Sequence, residues 1–326
     1  MKCRIKGGLL YLLAVLVTIF ALFNVLASRH AHSMLHFTAA GARTLKPESL
    51  SFWTKARLLF VGVNVPRPES TLAPTVLAPR CRALSITGPD AVTLAAWYCD
   101  RGPETPLAIM FHGYTAEKSS LLGEAQGLLD LGMSVLLVDF RGSGGSSESY
   151  TTIGVHEADD VVAAVAYAEN RFSHTGTVLF GQSMGAVAIL RAVHEGRVLP
   201  DAVIFEAVFD TMLNTVRNRF SVMNAPSFPA AELLIFWGGR QLGFDGFSHN
   251  PLDYAESLNC PALFLHGTDD PRAKLSEGRR VFAAAPQPKR FKIFASAGHE
   301  SYVSVSPDEW KDSIRSFSEA CGHFKR

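Results

Sequence analysis

This sequence has almost no excess of charge of either sign. Among its 326 residues, Lys and Arg number 31 and Asp and Glu number 30, which leaves a net charge of +1. Such a chain has no overall positive field to draw it to nucleic acid, so no nucleic-acid partner is expected. Charged residues make up only 19% and hydrophobic residues 48%, which excludes a disordered protein. The length allows one large domain or two small ones.

Cysteine is scarce, and its spacing excludes several kinds of site. None of the five cysteines forms a Cys-x-x-Cys pair, so neither a zinc ribbon nor a thioredoxin-like redox site is expected. The sequence also lacks the His-Glu-x-x-His motif of zinc peptidases and a Gly-rich loop followed by Lys-Ser or Lys-Thr. No metal site is therefore predicted.

The amino terminus carries a long apolar run. Residues 8–27 (GLLYLLAVLVTIFALFNVLA) contain no charge, and about 20 apolar residues can span a ~30 Å hydrocarbon core as a helix. The apolar region of a cleaved signal peptide usually has only about 7–15 residues, so we favour an uncleaved single-pass anchor in the lipid bilayer. The alternative is cleavage after Ala27, where Val25 and Ala27 fit the small-residue rule, giving a secreted or periplasmic protein.

The basic residues around this run predict its orientation. Lys2, Arg4 and Lys6 are closely spaced before it, whereas basic residues are sparse after it. The positive-inside rule therefore places the amino terminus in the cytoplasm and the main body of the chain outside it.

The chain divides into four segments: a basic flank (1–7), the apolar span (8–27), a connector (28–79) and the main domain (80–326). Within the connector, Lys46-Pro47-Glu48 predicts the start of a helix. Leu50, Trp53 and Phe60 would lie roughly on one face of this helix.

Cys81 and Cys99 lie in a segment that indicates two strands around a turn at Gly88-Pro89-Asp90. Folding the segment at this turn places the two cysteines nearly opposite each other. A disulfide between them would indicate an oxidising compartment. Two half-buried free thiols are the interpretation that we favour.

From residue 80 onward, short apolar runs alternate with amphipathic stretches. Continuous apolar strands alternating with helices predict an α/β fold with a mostly parallel central sheet flanked by helices. The carboxyl ends of such strands meet at one edge, where ligands bind. The predicted strands are 107–113, 133–140, 177–183, 201–207, 261–267 and 289–295, and the predicted helices are 118–131, 156–171, 184–195, 276–285 and 307–320.

One interval interrupts the alternation. Residues 208–258 separate two strands by about fifty residues, far more than the usual ~4–6 of a connecting loop. This interval is rich in Phe, Leu, Ile and Trp, and it begins at the ligand-binding edge. It predicts a lid, with additional core helices as the alternative.

A nucleophile is predicted at Gly181-Gln182-Ser183-Met184-Gly185, between a strand and a helix. A tight strand-to-helix turn needs small flanking residues and exposes the hydroxyl of Ser183 above the sheet. A serine needs a base, and His299 follows the last predicted strand at the same edge. The base in turn needs a carboxylate. Asp270 after strand 261–267 is the first choice, Asp269 the second and Asp210 a distant third.

Two backbone N–H groups are predicted to bind the oxyanion of the reaction. One belongs to Met184, directly after the nucleophile. The other comes from the loop after strand 107–113, with Tyr114 as the best candidate. In a neighbouring Gly-rich loop, Asp139 and Arg141 are expected to hold the loop in place rather than to contact substrate.

These motifs together resemble the α/β-hydrolase-fold serine hydrolases, in the branch of membrane-anchored α/β-hydrolase-domain proteins and serine aminopeptidase-like hydrolases. The resemblance covers about residues 80–320 and implies the Ser–Asp–His order, no metal and no organic cofactor. It departs from the usual pattern at Pro271-Arg272-Ala273, which leaves the choice between Asp269 and Asp270 open. The matching segments are FHGYTAEK, VDFRGSGGSS, GVHEADDV, GQSMG, PLDYAESLNCPALFLHGTDD and AGHES.

The predicted function is hydrolysis of a carboxylic ester through a Ser-His-Asp triad and an acyl-enzyme. The expected substrate is a small hydrophobic acyl compound, and lipid-derived acyl esters belong to this class. A serine peptidase or an acyltransferase is the alternative within the enzymes. A non-catalytic binding protein on the same fold is a further alternative, although all three triad residue types are in place.

Overall fold

An eight-stranded sheet organises the computed structural model, which describes residues 2–39, 41–44 and 51–322. The strands are Arg82–Thr87 (β1), Thr93–Cys99 (β2), Leu107–Phe111 (β3), Ser134–Val138 (β4), Thr177–Gln182 (β5), Ala202–Glu206 (β6), Ala262–Gly267 (β7) and Lys289–Phe294 (β8). Their order is β1-β2-β4-β3-β5-β6-β7-β8, with β1 and β2 antiparallel to their neighbours and the other six parallel. The predicted mostly parallel sheet is confirmed, and β3 to β8 end within two residues of the expected positions.

Helices cover both faces of the sheet because its central strands are apolar on both sides. Every residue of β3, β4 and β6 is buried. One face packs against α3 and α11, and the other packs against α4, α5, α8 and α9. The helices are Lys2–Leu35 (α1), Phe52–Val61 (α2), Leu122–Asp130 (α3), Glu157–Arg171 (α4), Met184–His194 (α5), Met212–Val222 (α6), Ala230–Leu242 (α7), Pro251–Ala255 (α8), Leu275–Ala284 (α9), Tyr302–Val305 (α10) and Pro307–Ala320 (α11).

The long interval between β6 and β7 contains three helices, α6, α7 and α8. We call residues 208–258 the insertion. It leaves the sheet at the carboxyl edge of β6, the edge at which parallel strands place their ligands.

The amino-terminal helix α1 has two different parts. Its side chains from Leu9 to Val25 include many exposed large hydrophobic residues, and the segment Gly8–Leu35 is long and apolar enough to cross a membrane, as an anchor or a signal sequence can. Its last turns pack on the rest of the protein, where Ala27, Ala31 and Leu35 are buried on one face.

Helix α7 of the insertion is the partner of this buried face. The indole Nε1 of Trp237 donates to Asn24 Oδ1 at 3.1 Å, and Gln241 Nε2 donates to the carbonyl oxygen of Ser28 at 2.9 Å. The two helices approach closely at Gly238, where a Cβ atom would lie 2.9 Å from Leu35 Cδ1. The apolar helix is thus continuous with the packed domain.

The helix start predicted at Lys46-Pro47-Glu48 lies outside the described residues, as does Leu50. The described helix α2 begins after Ser51, whose side chain accepts from the backbone N–H of Thr54. Trp53 of the predicted apolar face is 80% exposed.

Cys81 and Cys99 are joined by a disulfide, so the expectation of two free thiols was wrong. The pairing register explains the bond. Arg82 lies opposite Tyr98 in the β1–β2 hairpin, and the next pair outward is Cys81 and Cys99. Both cysteines are buried, and the antiparallel register brings them together without any change in the backbone.

Reduction of this disulfide should destabilise the protein without unfolding the sheet. The bond closes a loop between residues 18 apart, and a loop of this length corresponds to about 3 kcal/mol of lost unfolded-state entropy. Intact-mass analysis should show a gain of two hydrogen atoms on reduction, and Cys81→Ser/Cys99→Ser should lower Tm. An unchanged mass would show that the thiols are free. Cys260→Ser is the control, since Cys260 has no disulfide.

Candidate active site

Ser183 sits on a sharp turn between β5 and α5. Its backbone φ of 51° and ψ of −109° belong to a region that side chains with a Cβ rarely adopt. The flanking glycines are required by the turn: a Cβ on Gly181 would lie 2.5 Å from the backbone N of Ala186, and one on Gly185 would lie 2.2 Å from the carbonyl oxygen of Phe111. The turn holds the serine, which is 8% exposed, above the carboxyl edge of the sheet.

His299 and Asp270 meet at the ends of neighbouring strands. His299 follows β8, Asp270 follows β7, and His299 Nδ1 lies 2.7 Å from Asp270 Oδ2. The other carboxylate oxygen of Asp270 accepts from the backbone N–H groups of Arg272 (2.8 Å) and Ala273 (2.9 Å). Burial raises the pKa of Asp270, but the hydrogen bond from His299, its charge and the two N–H groups outweigh burial and hold the pKa below its ordinary value.

The two other candidate carboxylates have different partners. Asp269 accepts from the hydroxyl of Thr268 at 2.9 Å and is exposed. Asp210 is buried, accepts from the backbone N–H of Thr211, and pairs with Arg280. Of the three carboxylates proposed from the sequence, Asp270 is the one bonded to His299.

The loop after β3 borders the serine. A Cβ on Gly113 would lie 3.6 Å from the Cβ of Ser183, which places the next residue, Tyr114, beside the turn. The phenol of Tyr114 donates to the carbonyl oxygen of Met34, near the end of α1, at 2.6 Å. Burial raises the pKa of Tyr114 to about 12. The sequence did not indicate that α1 would reach this loop.

Buried ion pairs hold the loops around the site. Lys118 Nζ contacts Asp139 Oδ2 at 2.6 Å, and Arg141 Nη2 contacts Asp160 Oδ1 at 2.7 Å. The imidazole of His112 accepts from the backbone N–H of Phe140 at 3.1 Å. Asp139 and Arg141 therefore fix the Gly-rich loop, as expected from the sequence.

Sequence reasoning missed a buried acidic pair beneath the serine. The carbonyl oxygen of Glu206 accepts the N–H of Ser183 at 2.8 Å, and its carboxylate Oε1 accepts from Trp310 Nε1 at 2.6 Å. Glu124 is also fully buried and interacts electrostatically with Glu206. Burial, and then the charge of Glu124, raise the pKa of Glu206 well above its ordinary value. The available signal was a glutamate at the end of an otherwise apolar strand.

Glu206→Gln should make stability less dependent on pH. Because the pKa of Glu206 is raised in the folded protein, the parent loses stability as pH rises above the unfolded pKa, when only the unfolded chain releases this proton. The amide of Gln does not titrate and still accepts from Trp310. The decrease in Tm between pH 5 and pH 8 should therefore be smaller in the variant.

Two variants control this measurement. Glu206→Ala should destabilise the protein at both pH values by about 1–3 kcal/mol or more, because it leaves the Trp310 N–H without its acceptor. Glu104→Gln changes an exposed glutamate and should leave the pH profile of Tm as it is in the parent. A steeper pH dependence in Glu206→Gln would contradict the assignment.

The prolyl oligopeptidase family model matches residues 120–323 of this chain. The matched region is more than half of the sequence and includes Ser183, Asp270 and His299. The chain belongs to the prolyl oligopeptidase family. As a member of this family with the fold described above, it is an α/β-hydrolase-fold serine hydrolase.

Individual relatives share only about a quarter of their residues with this chain. Protein YqkD of Bacillus subtilis is 27% identical over 223 residues, which cover 66% of this chain and 72% of YqkD. Human protein ABHD12B is 26% identical over 219 residues, covering 66% of this chain and 58% of that protein. Among solved structures, the esterase Pf2001 of Pyrococcus furiosus superposes with a TM-score of 0.66 at 25% identity, covering 79% of this chain and 97% of the esterase.

Proposed function

We propose that this protein is a membrane-anchored carboxylic ester hydrolase. Ser183 Oγ attacks the acyl carbonyl, and Nε2 of His299 takes the proton and returns it to the leaving alcohol. Asp270 holds the imidazole in the tautomer that carries its proton on Nδ1 and stabilises the cation that forms. Water then releases the acyl group from the serine by the same steps in reverse.

The observation that carries this proposal is that one edge of the sheet presents both a serine on a sharp turn and a hydrogen-bonded carboxylate–imidazole pair. Ser183 is held by the turn after β5, Asp270 follows β7, and His299 follows β8 and bonds to Asp270 at 2.7 Å. A strained turn that presents a hydroxyl, at the same edge of the sheet as an imidazole bonded to a buried carboxylate, supports acyl transfer by a serine.

The backbone N–H groups of Met184 and Tyr114 are proposed to bind the oxyanion. Within the described part of the chain, neither N–H is seen to make a hydrogen bond, so both are available to a ligand. Met184 is the first residue of α5, where the N–H groups point out of the helix and favour negative charge. Each such donor is worth about 3–4 kcal/mol in the transition state.

Two observations support an uncleaved anchor with the catalytic domain outside the cytoplasm. Trp237 of the insertion donates to Asn24, which lies before the candidate cleavage site at Ala27 and would be lost on cleavage. The disulfide between Cys81 and Cys99 suits an oxidising compartment. The anchor and the apolar insertion together support a hydrophobic acyl substrate.

A serine peptidase is the second candidate. The family description, which names prolyl oligopeptidases, supports it, and the same attack and proton transfers would cleave an amide. The two candidates differ in the leaving group, which is an alcohol for an ester and an amine for a peptide.

Labelling with a fluorophosphonate tests the serine, and a substrate panel tests the class. The full-length chain in detergent should be labelled and should hydrolyse p-nitrophenyl esters. In Ser183→Ala, labelling should be absent and hydrolysis should fall sharply. Aminoacyl p-nitroanilides should be poor substrates. Faster cleavage of anilides than of esters would favour the peptidase, and absence of labelling from the folded protein would contradict a serine hydrolase.

A further inference from the structure

We propose that the first half of α7, together with the loop before it, lies in the interface of a lipid bilayer beside α1. Ser183 would then receive acyl esters directly from that bilayer. This inference rests on the proposed function, since it states where that site obtains its substrate. The partner is a phospholipid bilayer, and the surface that meets it comprises the exposed side chains of Phe228 and Phe236.

The contacts between α1 and α7 set the height of the insertion relative to the membrane. Trp237 bonds to Asn24, which lies three residues before the end of the charge-free run at Ala27. Three residues of helix correspond to about 4.5 Å. The indole of Trp237 thus lies at the boundary between acyl chains and headgroups, where tryptophan is enriched in membrane proteins.

The contacts of α7 hold its middle against the last turns of α1. Trp237 bonds to Asn24 and Gln241 bonds to Ser28, and Gly238 lies against Leu35. Phe236 is the neighbour of Trp237, and the centres of their two rings are 5.3 Å apart, so Phe236 lies near the same level as the indole. Phe236 is 51% exposed and Phe228, just before α7, is 76% exposed, and the bilayer would cover both.

The charges on the insertion agree with this depth. Glu232, in the first turn of α7, is paired with Arg217 of α6 at 2.6 Å, which reduces the cost of bringing it near the membrane. Arg240, one turn beyond Phe236, is exposed and makes no ion pair within the described residues. A free guanidinium at this position can bind lipid phosphate. An open cleft of about 450 Å³ is lined by Arg240 with Phe236, Phe244 and Phe247 among other residues.

The site lies close enough to this interface for direct transfer of a lipid. The carbonyl of Met34, which accepts from Tyr114, lies seven residues beyond Ala27, and seven residues of helix span about 10 Å. Tyr114 follows Gly113, which borders Ser183. Along α1, headgroup level is therefore only about 10 Å from the residue that contacts the loop bordering Ser183.

A comparison of two esters tests the inference. The full-length protein is reconstituted in phosphatidylcholine nanodiscs that contain 4-methylumbelliferyl oleate, and p-nitrophenyl butyrate serves as the water-soluble ester. Phe228→Glu/Phe236→Glu should lower the rate on the oleate ester by about tenfold or more, because two charges would have to enter the interface. Its rate on the soluble ester should change by less than about twofold, which also shows that the variant is folded.

Leu199→Glu is the matched control. Leu199 is also a large exposed hydrophobic residue (68%), but it precedes β6 at the opposite edge of the sheet. The rates of Leu199→Glu on the oleate ester and on the soluble ester should both match those of the parent. Equal losses on the two esters in the double variant, or no loss on the oleate ester, would overturn the inference while leaving the hydrolase intact. If the parent cleaved neither ester, the proposed function itself would fail.

A depth measurement provides a second test that needs no charged substitution. Phe236→Trp places an indole at the proposed interface, and its emission is obtained by subtracting that of the parent. Lipids brominated near the headgroup should quench this emission, and aqueous iodide should quench it much less. Strong quenching by iodide with none by brominated lipid would overturn the inference.

Discussion

Ser183→Ala should lower kcat/KM for p-nitrophenyl esters by roughly 10⁴-fold to 10⁶-fold. Loss of the nucleophile removes the covalent pathway, and the activity that remains comes only from binding and from the oxyanion donors. The fold should tolerate the change, since alanine removes one oxygen and keeps the Cβ already present on the turn. Steady-state rates and fluorophosphonate labelling measure the effect, and circular dichroism and Tm show whether the variant is folded.

Met184→Leu is a matched control for this substitution. It changes a buried side chain beside the serine but keeps the backbone N–H that is proposed to bind the oxyanion. Its kcat/KM should fall by roughly tenfold or less. A Ser183→Ala variant with more than a tenth of the parental activity would show that this serine is not the nucleophile.

Asp270→Asn should lower kcat by roughly 10³-fold to 10⁴-fold. The carboxylate accepts the Nδ1–H of His299 at 2.7 Å, whereas an amide can turn its NH₂ group toward the ring and favour the tautomer protonated on Nε2. That tautomer cannot accept the proton of Ser183, so the base is lost although the geometry is kept. Rates at several pH values measure the effect.

Asp269→Asn is the control that separates the two neighbouring carboxylates. Asp269 is exposed, and the oxygen that accepts from Thr268 is still present in asparagine. Its kcat should stay within about twofold of the parent. If Asp269→Asn caused a larger loss of kcat than Asp270→Asn, then Asp269 rather than Asp270 would be the carboxylate that supports His299.

The alternation of apolar runs was enough to predict most of the sheet. A strand that is buried on both faces must be apolar throughout, and a parallel neighbour requires a helix between the two strands. The sequence therefore predicted β3 to β8 within two residues of their observed ends. The same reasoning located Ser183 at a tight turn, because only glycine fits at positions 181 and 185.

Contacts between segments far apart in the chain could not be predicted in this way. Glu206 and Trp310 are separated by 104 residues, and Trp237 and Asn24 by 213 residues. Local periodicity shows which face of a helix is apolar, but not which other helix covers it. The buried acidic pair and the docking of the insertion on α1 were both missed for this reason.

The sequence by itself determined the fold class, the turn that carries Ser183, and the strand ends at which a base and a carboxylate lie. Each of these follows from short-range patterns of size, polarity and periodicity. Only the tertiary structure decided which carboxylate bonds to His299, that Cys81 and Cys99 are joined, and that the last turns of α1 pack against the insertion and the loop of Tyr114. These depend on distances of a few ångströms between atoms on different elements, which are set when the core packs.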